Sequence, residues 1–178
     1  LILRSGDIIK ELRDEVDVYE YDLTIVGGSA KRNMSHDMIQ YINSSLFVVN
    51  NFNKTINYKI LLAVDDSPST KKAVKYGVRV AQAFGIKVKI ITVNEDENFN
   101  EANKRASESA SKMMRRCGVK AETKLEIGKP AEKIIELAGE DHIIIMGSST
   151  QSPIAKFFVG SKPLNVMRNS NCPILIVK

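Results

Sequence analysis

The chain has 178 residues, of which 43% are apolar and 26% charged, the composition of an ordinary soluble globular protein. No apolar run approaches the roughly 20 residues that a membrane-spanning helix needs, and the first residues turn polar at once, so we expect neither membrane insertion nor a signal peptide. The net charge of +5 is uneven, because residues 1–50 carry 5 basic and 8 acidic residues and the remainder carries 21 and 13.

The basic residues of the second part are spread over predicted helices and strand ends. No aromatic residues interleave with them and tryptophan is absent, so we expect no nucleic-acid partner. Cys117 and Cys172 lie in separate predicted elements, and His36 and His142 have no partners at ligand spacing. We therefore predict no metal site, and reduced cysteines suit a cytoplasmic location.

The pattern of apolar residues and helix caps in residues 1–50 predicts two helix–strand pairs. A helix begins after Gly6-Asp7, where aspartate is a common N-cap, and an apolar strand follows at 22–28. A short helix at 34–44 leads to a second apolar strand at 46–49. Residues 51–57 are polar and rich in asparagine, which is typical of a linker.

Residues 58–178 predict five strands that alternate strictly with four helices. The strands are expected at 59–64, 87–93, 119–127, 142–146 and 173–177, and the helices at 68–84, 98–117, 130–138 and 161–169. Strict alternation implies parallel strands with helices on both faces, the open α/β class, whose ligands bind beyond the carboxyl ends of the strands. The strand at 119–127 alternates apolar with charged residues, so we place it at a sheet edge.

The first 50 residues repeat the second half of this unit in weaker form. The strand at 22–28 matches the strand that precedes Gly147, and the strand at 46–49 matches the last strand, at 173–177. We therefore divide the chain into a truncated half domain (1–50), a linker (51–57) and a complete domain (58–178).

One loop of the complete domain carries a pattern that suits a phosphate. The strand that ends at Met146 runs into Gly147, and Gly160-Ser161 opens the next helix. Glycine lets the backbone approach an anion, and a helix start supplies unpaired N–H groups and a positive dipole end. Plainer interpretations stay open: Gly147 serves only the strand-to-helix turn, Gly160-Ser161 is an ordinary helix start, and 65–68 (Asp-Asp-Ser-Pro) is only a turn and helix cap.

Five segments of residues 58–178 carry a resemblance to a known family. They are 60–67 (ILLAVDDS), 128–130 (GKP), 144–149 (IIMGSS), 160–161 (GS) and 172–177 (CPILIV). In this order and spacing, the complete domain resembles the universal stress protein family. The resemblance implies a five-stranded parallel sheet of order 3-2-1-4-5, a tandem-type chain with a degenerate first repeat, and ATP or AMP as ligand, with Mg²⁺ entering only through the phosphates.

The resemblance also implies where a nucleotide lies. Asp65 faces the adenine or the ribose with Ala63 and Val64 beside it, and Val93 supplies an apolar wall for the base. The residues implied at the phosphates end the fourth strand and flank the loop: Met146, Gly147, Thr150, Gly160 and Ser161. Lys162 and Lys156 are added as phosphate contacts from their charge and position alone.

Thr150 departs from the family pattern, which is Gly-x-x-Gly, nine residues, then Gly-Ser or Gly-Thr. Gly147 and Gly160-Ser161 fall in register, and Thr150 stands where the second glycine is expected. If this position needs a positive φ, a β-branched residue costs on the order of 1–2 kcal/mol. If it needs only closeness to a phosphate, the side chain either crowds the ligand or donates a hydrogen bond to it.

The sequence therefore favours a module that binds and senses an adenine nucleotide and acts through dimerisation. Catalysis is not expected, because no P-loop with Gly-Lys-Ser/Thr occurs and no histidine or acidic pair stands near the loop to activate water. The alternative is an assembly or regulatory module without nucleotide binding, such as the cytoplasmic tail of a membrane transporter.

The resemblance also bears on assembly, because family members commonly pair through their last strands. Here the strand at 46–49 and the last strand at 174–177 can pair antiparallel inside one chain. That pairing leaves the strand at 22–26 as an exposed apolar edge, which soluble proteins avoid. We expect another chain, or residues further upstream, to cover it, and hence a homodimer or a higher homo-oligomer.

Overall fold

The computed structural model describes residues 3–27, 35–49, 57–96, 100–148 and 162–178. Its helices are α1 Ile8–Tyr19, α2 Ser35–Tyr41, α3 Pro68–Phe84, α4 Glu101–Arg116, α5 Pro130–Ala138 and α6 Lys162–Asn169. Its strands are β1 Leu23–Gly27, β2 Ser45–Val49, β3 Lys59–Ala63, β4 Val88–Asn94, β5 Ala121–Ile127, β6 His142–Gly147 and β7 Ile174–Val177. Among these described helices, none is both long and apolar enough to cross a bilayer.

One sheet of seven strands runs through the described residues, in the order β1-β2-β7-β6-β3-β4-β5. All neighbours are parallel except β2 and β7, which pair antiparallel with Leu46 opposite Ile176 and Val48 opposite Ile174. This confirms the pairing that the sequence predicts between these two strands. From β3 the chain adds β4 and β5 on one side of the sheet, and it then crosses over to add β6 and β7 on the other side. The strand order therefore reverses at β3.

The prediction of a sheet of only five strands is wrong, because the sheet of the described residues has seven. The five strands from β3 to β7 keep their expected relative order, but they share their sheet with the two strands of the first 50 residues. The physical reason lies in β7, whose four residues are all buried. Without β2 beside it, this apolar strand would be an open edge. The division at 1–50, 51–57 and 58–178 stays a prediction, and residues 50–56 lie outside the described part.

Both faces of the sheet are covered by helices, as the alternation of elements predicts. On one face, Leu61 and Ile144 belong to a buried cluster completed by α1, α2, α5 and α6. On the other face, Leu62 and Ile145 belong to a second cluster completed by α3 and α4. Neighbouring residues of one strand therefore enter different clusters, which is why these strands are near-continuous apolar runs.

The two edges of the sheet differ in character. β5 forms one edge, as its alternating pattern predicts, and most of its residues are exposed or half-buried. β1 forms the other edge and exposes Ile25 at 64% and Leu23 at 38%. β1, which belongs to the first 50 residues, thus forms the exposed apolar edge that the sequence predicts.

The last residue of the chain ties the two parts together. The Lys178 ammonium donates hydrogen bonds to the carbonyl oxygens of Ile39, at 2.6 Å, and of Ile42, at the carboxyl end of α2. A cation here satisfies helix carbonyls that lack an intrahelical partner and complements the negative end of the helix dipole. The backbone N–H of Lys178 donates to Ser45 Oγ at 3.3 Å.

The shared sheet predicts that the two parts unfold together. Leu46 is fully buried and pairs with β7, so Leu46→Ala should lower the free energy of unfolding of the whole chain by about 2–5 kcal/mol in one cooperative urea transition. Leu23→Ala is the control on the exposed edge, where the side chain is 38% exposed, and should lower it clearly less, by about 1 kcal/mol. Two separate transitions, with only the smaller one shifted by Leu46→Ala, would show that the parts fold independently.

Candidate functional site

The candidate site is a cleft at the carboxyl ends of β3, β4 and β6, where the strand order reverses. Open α/β sheets bind ligands at this point because the connections diverge to opposite faces and leave a crevice. The residues that line the cleft come from strand ends and helix starts: Ala63, Val64, Asp65, Thr70, Ile91, Val93, Pro130, Ile134, Met146, Gly147 and Lys162.

The structure brings seven of the ten predicted site residues into this one cleft. They are Ala63, Val64, Asp65, Val93, Met146, Gly147 and Lys162. The other three, Thr150, Gly160 and Ser161, lie outside the described residues, as does Lys156. The ligand contacts predicted for all of these residues remain predictions.

Four lining residues are missing from the prediction. Ile91 precedes Val93 by two positions on β4, so strand alternation carries both to the same face of the sheet. Pro130 and Ile134 lie one turn apart on α5, and the Gly128-Lys129-Pro130 segment already marks where this helix starts. Thr70 is the hardest of the four to predict from the sequence, because its place in the cleft depends on how α3 packs against the end of β3.

The cleft is narrow and mostly apolar. Its walls are aliphatic, with Ala63, Ile91, Val93, Ile134 and Met146 contributing side chains. Its cavity volume is about 40 Å³, well below the roughly 300 Å³ at which typical small-molecule pockets begin. The described residues thus form the apolar end of a site rather than an enclosure for a whole ligand.

Asp65 is held at the mouth of the cleft by the first turn of α3. Its Oδ1 accepts hydrogen bonds from Ser67 Oγ at 2.5 Å, from Thr70 Oγ1 at 2.6 Å and from the Ser67 backbone N–H at 3.1 Å. Among the described residues, nothing donates to its Oδ2. The described residues therefore hold one carboxylate oxygen and leave the other as an acceptor.

The surroundings of Asp65 favour its charged form. Burial of the carboxylate opposes ionisation, but the hydrogen bonds from Ser67 and Thr70 and the positive charge of Lys162 outweigh burial, so the pKa of Asp65 lies below its ordinary value of 3.8. The cleft therefore presents a fixed negative charge from β3 and a positive charge from the start of α6. Asp65 and Lys162 are the charged residues among those that line it.

The interpretation of 65–68 as only a turn and cap is partly right. Ser67 occupies the N-cap position of α3 and Pro68 its first position, but the Ser67 side chain makes no capping hydrogen bond. Its hydroxyl donates to Asp65 instead. The bond from the Ser67 N–H to the side chain two residues earlier is the turn that aspartate commonly forms. Asp65 thus shapes the start of α3 with one oxygen only.

Gly147 is required by close packing rather than by its backbone conformation. It is not among the described glycines with positive φ. A Cβ atom at this position would lie 2.4 Å from Ser69 Oγ and 2.8 Å from the Ser69 carbonyl carbon. The plainer interpretation, that Gly147 serves only the turn, therefore misses its contact with the first turn of α3.

The described residues hold no group of three His, Cys, Asp or Glu side chains that could bind a metal ion. His142 lies at the start of β6, at the end of the sheet away from the cleft, where its Nδ1 is 2.9 Å from the Ala138 carbonyl oxygen. His36 contacts Asp37 on α2. Neither histidine lines the cleft.

The described elements define an open α/β domain with a crevice at its topological switch point. Residues 57–178 match the model of the Universal stress protein family, and the chain belongs to that family. A universal stress protein of Thermus aquaticus is 34% identical over 133 residues, which cover 67% of this chain and 97% of the relative.

Two solved structures extend the comparison. A universal stress protein from Archaeoglobus fulgidus superposes with a TM-score of 0.76 and 20% identity, covering 97% of this chain but only 66% of that longer one. At this identity the likeness shows the fold alone. A universal stress protein in complex with cAMP superposes with a TM-score of 0.59 and 27% identity, covering 69% of this chain and 98% of that chain.

The contact between Gly147 and Ser69 predicts that any side chain added at position 147 destabilises the fold. Gly147→Ala should lower the free energy of unfolding by about 1–3 kcal/mol, because the added methyl group meets backbone atoms that cannot move alone. Gly27→Ala is the matched control, because a Cβ at Gly27 meets nothing within 4 Å. Urea unfolding measures both, and equal midpoints for the two variants would contradict the packing argument.

The lowered pKa of Asp65 predicts a pH dependence with a defined sign. A depressed carboxylate stabilises the fold above its unfolded pKa of about 3.8, and this contribution is lost as the pH falls through the lower pKa of the folded state. The stability gap between the wild type and Asp65→Asn should therefore be widest near neutral pH and shrink below about pH 4. Thermal unfolding between pH 3 and pH 7 measures the gap.

Asp66→Asn is the matched control, because the Asp66 carboxylate is exposed and accepts no hydrogen bond in the described part of the chain. Its stability relative to the wild type should change less over the same pH range. A gap for Asp65→Asn that widens toward pH 3 would have the wrong sign and would overturn the assignment of a stabilised carboxylate.

Proposed function

We propose that this chain binds an adenine nucleotide, ATP or AMP, at the cleft and acts as a sensing module through self-association rather than through catalysis. The observation that carries the proposal is the convergence of seven predicted site residues from three strand ends and a helix start. The cAMP complex of a 27% identical family member supports an adenine nucleotide as the ligand class.

Each part of the cleft fits one part of a nucleotide. The aliphatic walls from β4 and α5 suit the faces of the base. Asp65 Oδ2 suits a donor on the base or a ribose hydroxyl, since a fixed carboxylate forms strong, charge-assisted hydrogen bonds. Lys162 suits a phosphate, and Thr150, Gly160 and Ser161 are proposed to add main-chain and hydroxyl contacts. Any Mg²⁺ would enter through the phosphates.

The narrowness of the cleft constrains the pose. A cavity of about 40 Å³ cannot enclose a nucleotide, so we propose that the base enters the apolar end and the phosphates extend outward past Lys162. This pose needs the side chains around Val93 and Ile134 to open modestly. Rotamer changes of this size are common on binding.

The charged groups in the cleft suit binding better than catalysis. Asp65 is the one carboxylate among the lining residues, and its lowered pKa makes it a weak base. A general base works best with a pKa near the working pH. We therefore propose a non-enzymatic role in the cytoplasm.

We further propose that the first 50 residues are a degenerate repeat in a tandem-type chain. The antiparallel join between β2 and β7 supports this, and so does the longer Archaeoglobus structure, which covers 97% of this chain. Because β7 is already paired, self-association would use another surface, and the exposed edge of β1 is the surface we propose.

The second candidate function is an assembly or regulatory module without nucleotide binding, such as the cytoplasmic tail of a membrane transporter. Thr150 and the small cavity volume favour it. Under this alternative the chain keeps its fold and its self-association, and adding nucleotide changes neither of them.

Isothermal titration of the full chain with ATP, AMP and adenosine separates the two candidates. We expect binding of both nucleotides and, for Lys162→Gln, a loss of about tenfold or more in ATP affinity with a smaller loss for adenosine, because charge-assisted hydrogen bonds contribute about 1.5–3 kcal/mol. Lys129→Gln, an exposed lysine on the α5 side and outside the cleft lining, is the matched control. No heat at millimolar ligand would favour the second candidate.

A further inference from the structure

A second and larger groove lies between α3 and α4. Its volume is about 520 Å³, and it adjoins the cleft because Asp65 and Thr70 line both. It lies on the sheet face that α3 and α4 cover, in the domain formed by residues 57–178. Nothing in the proposed nucleotide pose occupies this groove.

The rim of the groove is basic. Lys71 and Lys75 stand one turn apart on α3, and Arg105 stands on α4 across from them. All three are exposed, and Lys71 and Lys75 make no ion pair or hydrogen bond within the described ranges. Arg105 lies one turn from Glu101, and Lys104 and, less strongly, Arg105 lower the pKa of that carboxyl. Over its 17 residues α3 carries four basic side chains and no acidic one.

Some other surface lysines of the same domain are paired, whereas Lys87 and Lys112, for example, make no ion pair within the described residues. Lys59 contacts Asp141, and three further pairs lie one turn apart along helices: Lys104 with Glu101, Lys129 with Glu132 and Lys133 with Glu136. A lysine near a helical carboxylate is therefore common in this protein, and the rim differs in placing three basic side chains around one groove. Asp65 and Asp66 lie together at one end of the groove.

The floor of the groove is apolar and made of small or adaptable side chains. Val74 and Ala110 are buried, Ala106 is half-buried, and Met113 is 37% exposed. Alanines deepen a groove between helices, and methionine is unbranched and repacks easily against different partners. The floor therefore suits aliphatic side chains.

We propose that this groove docks an acidic peptide segment that carries aliphatic side chains on one face, bound as a helix in the groove. Carboxylates of the partner would meet Lys71, Lys75 and Arg105, while its apolar face covers the floor around Val74 and Met113. A nucleic acid fits less well, because no aromatic residue lines the groove for bases to stack on. The proposal does not depend on nucleotide binding in the cleft.

The test uses the full chain and one defined probe, a fluorescein-labelled 14-residue helical peptide with glutamates on one face and leucines on the other. Fluorescence anisotropy should show saturable binding that weakens several-fold between low salt and 0.5 M salt, since the Debye length falls with ionic strength. The triple variant Lys71→Glu, Lys75→Glu, Arg105→Glu should weaken binding at least tenfold.

The matched control has the same change in net charge at exposed lysines outside the groove: Lys10→Glu, Lys87→Glu and Lys129→Glu. It should keep most of the affinity, and circular dichroism with urea midpoints checks that both variants are folded. A peptide of the same composition with glutamate and leucine scrambled should bind weakly.

Three results would overturn the proposal. They are no binding at about 200 µM protein, an equal loss in the groove and control variants, and equal binding of the scrambled peptide. Tighter binding of a uridine oligonucleotide with the same number of charges would also overturn it, by showing that the rim is a nucleic-acid surface.

Discussion

The close approach of α3 to the end of β6 determines how the site is built. Gly147 lets the first turn of α3 pack directly against the strand, at a distance that no Cβ atom would allow. In the same turn, Ser67 and Thr70 donate hydrogen bonds to the carboxylate of Asp65, which follows the end of β3. The glycine of β6 thereby lets the turn that holds Asp65 lie directly against the neighbouring strand.

The sequence predicts most of the fold because each element carries its own local signal. The runs at 59–64 and 142–146 are too short and too apolar for amphipathic helices, and Gly85 and Gly139 mark helix ends where the structure indeed has positive φ. The width of the sheet is harder to predict, because it depends on a long-range pairing between β2 and β7. The clue is that both strands are apolar and that each, with its one parallel neighbour, would otherwise leave an open edge.

The site is predictable to the extent that it lies on strand ends. Asp65, Val93 and Gly147 follow from the strand assignments, since the carboxyl ends of parallel strands meet at one edge. Thr70 and Ile134 do not, because the face that a helix turns toward the cleft depends on how the helix packs. The hydrogen bond of the Ser67 hydroxyl to Asp65 is not predicted either, because a serine before a helix can cap that helix or bond to a side chain nearby, and both partners are local.

The shared residues of the cleft and the groove limit how the two surfaces can influence each other. A ligand shifts another site only through contacts that differ between two states of the protein. A nucleotide that used Asp65 Oδ2 alone would leave the bonds of Oδ1 to Ser67 and Thr70 intact and would not act on α3. A ligand that drew Asp65 away from Ser67 and Thr70 would disturb the first turn of α3, and with it the wall that carries Lys71 and Lys75. Coupling between the surfaces therefore rests on the hydrogen bonds between Asp65 and this turn, of which those from Ser67 Oγ at 2.5 Å and from Thr70 Oγ1 at 2.6 Å are the shortest.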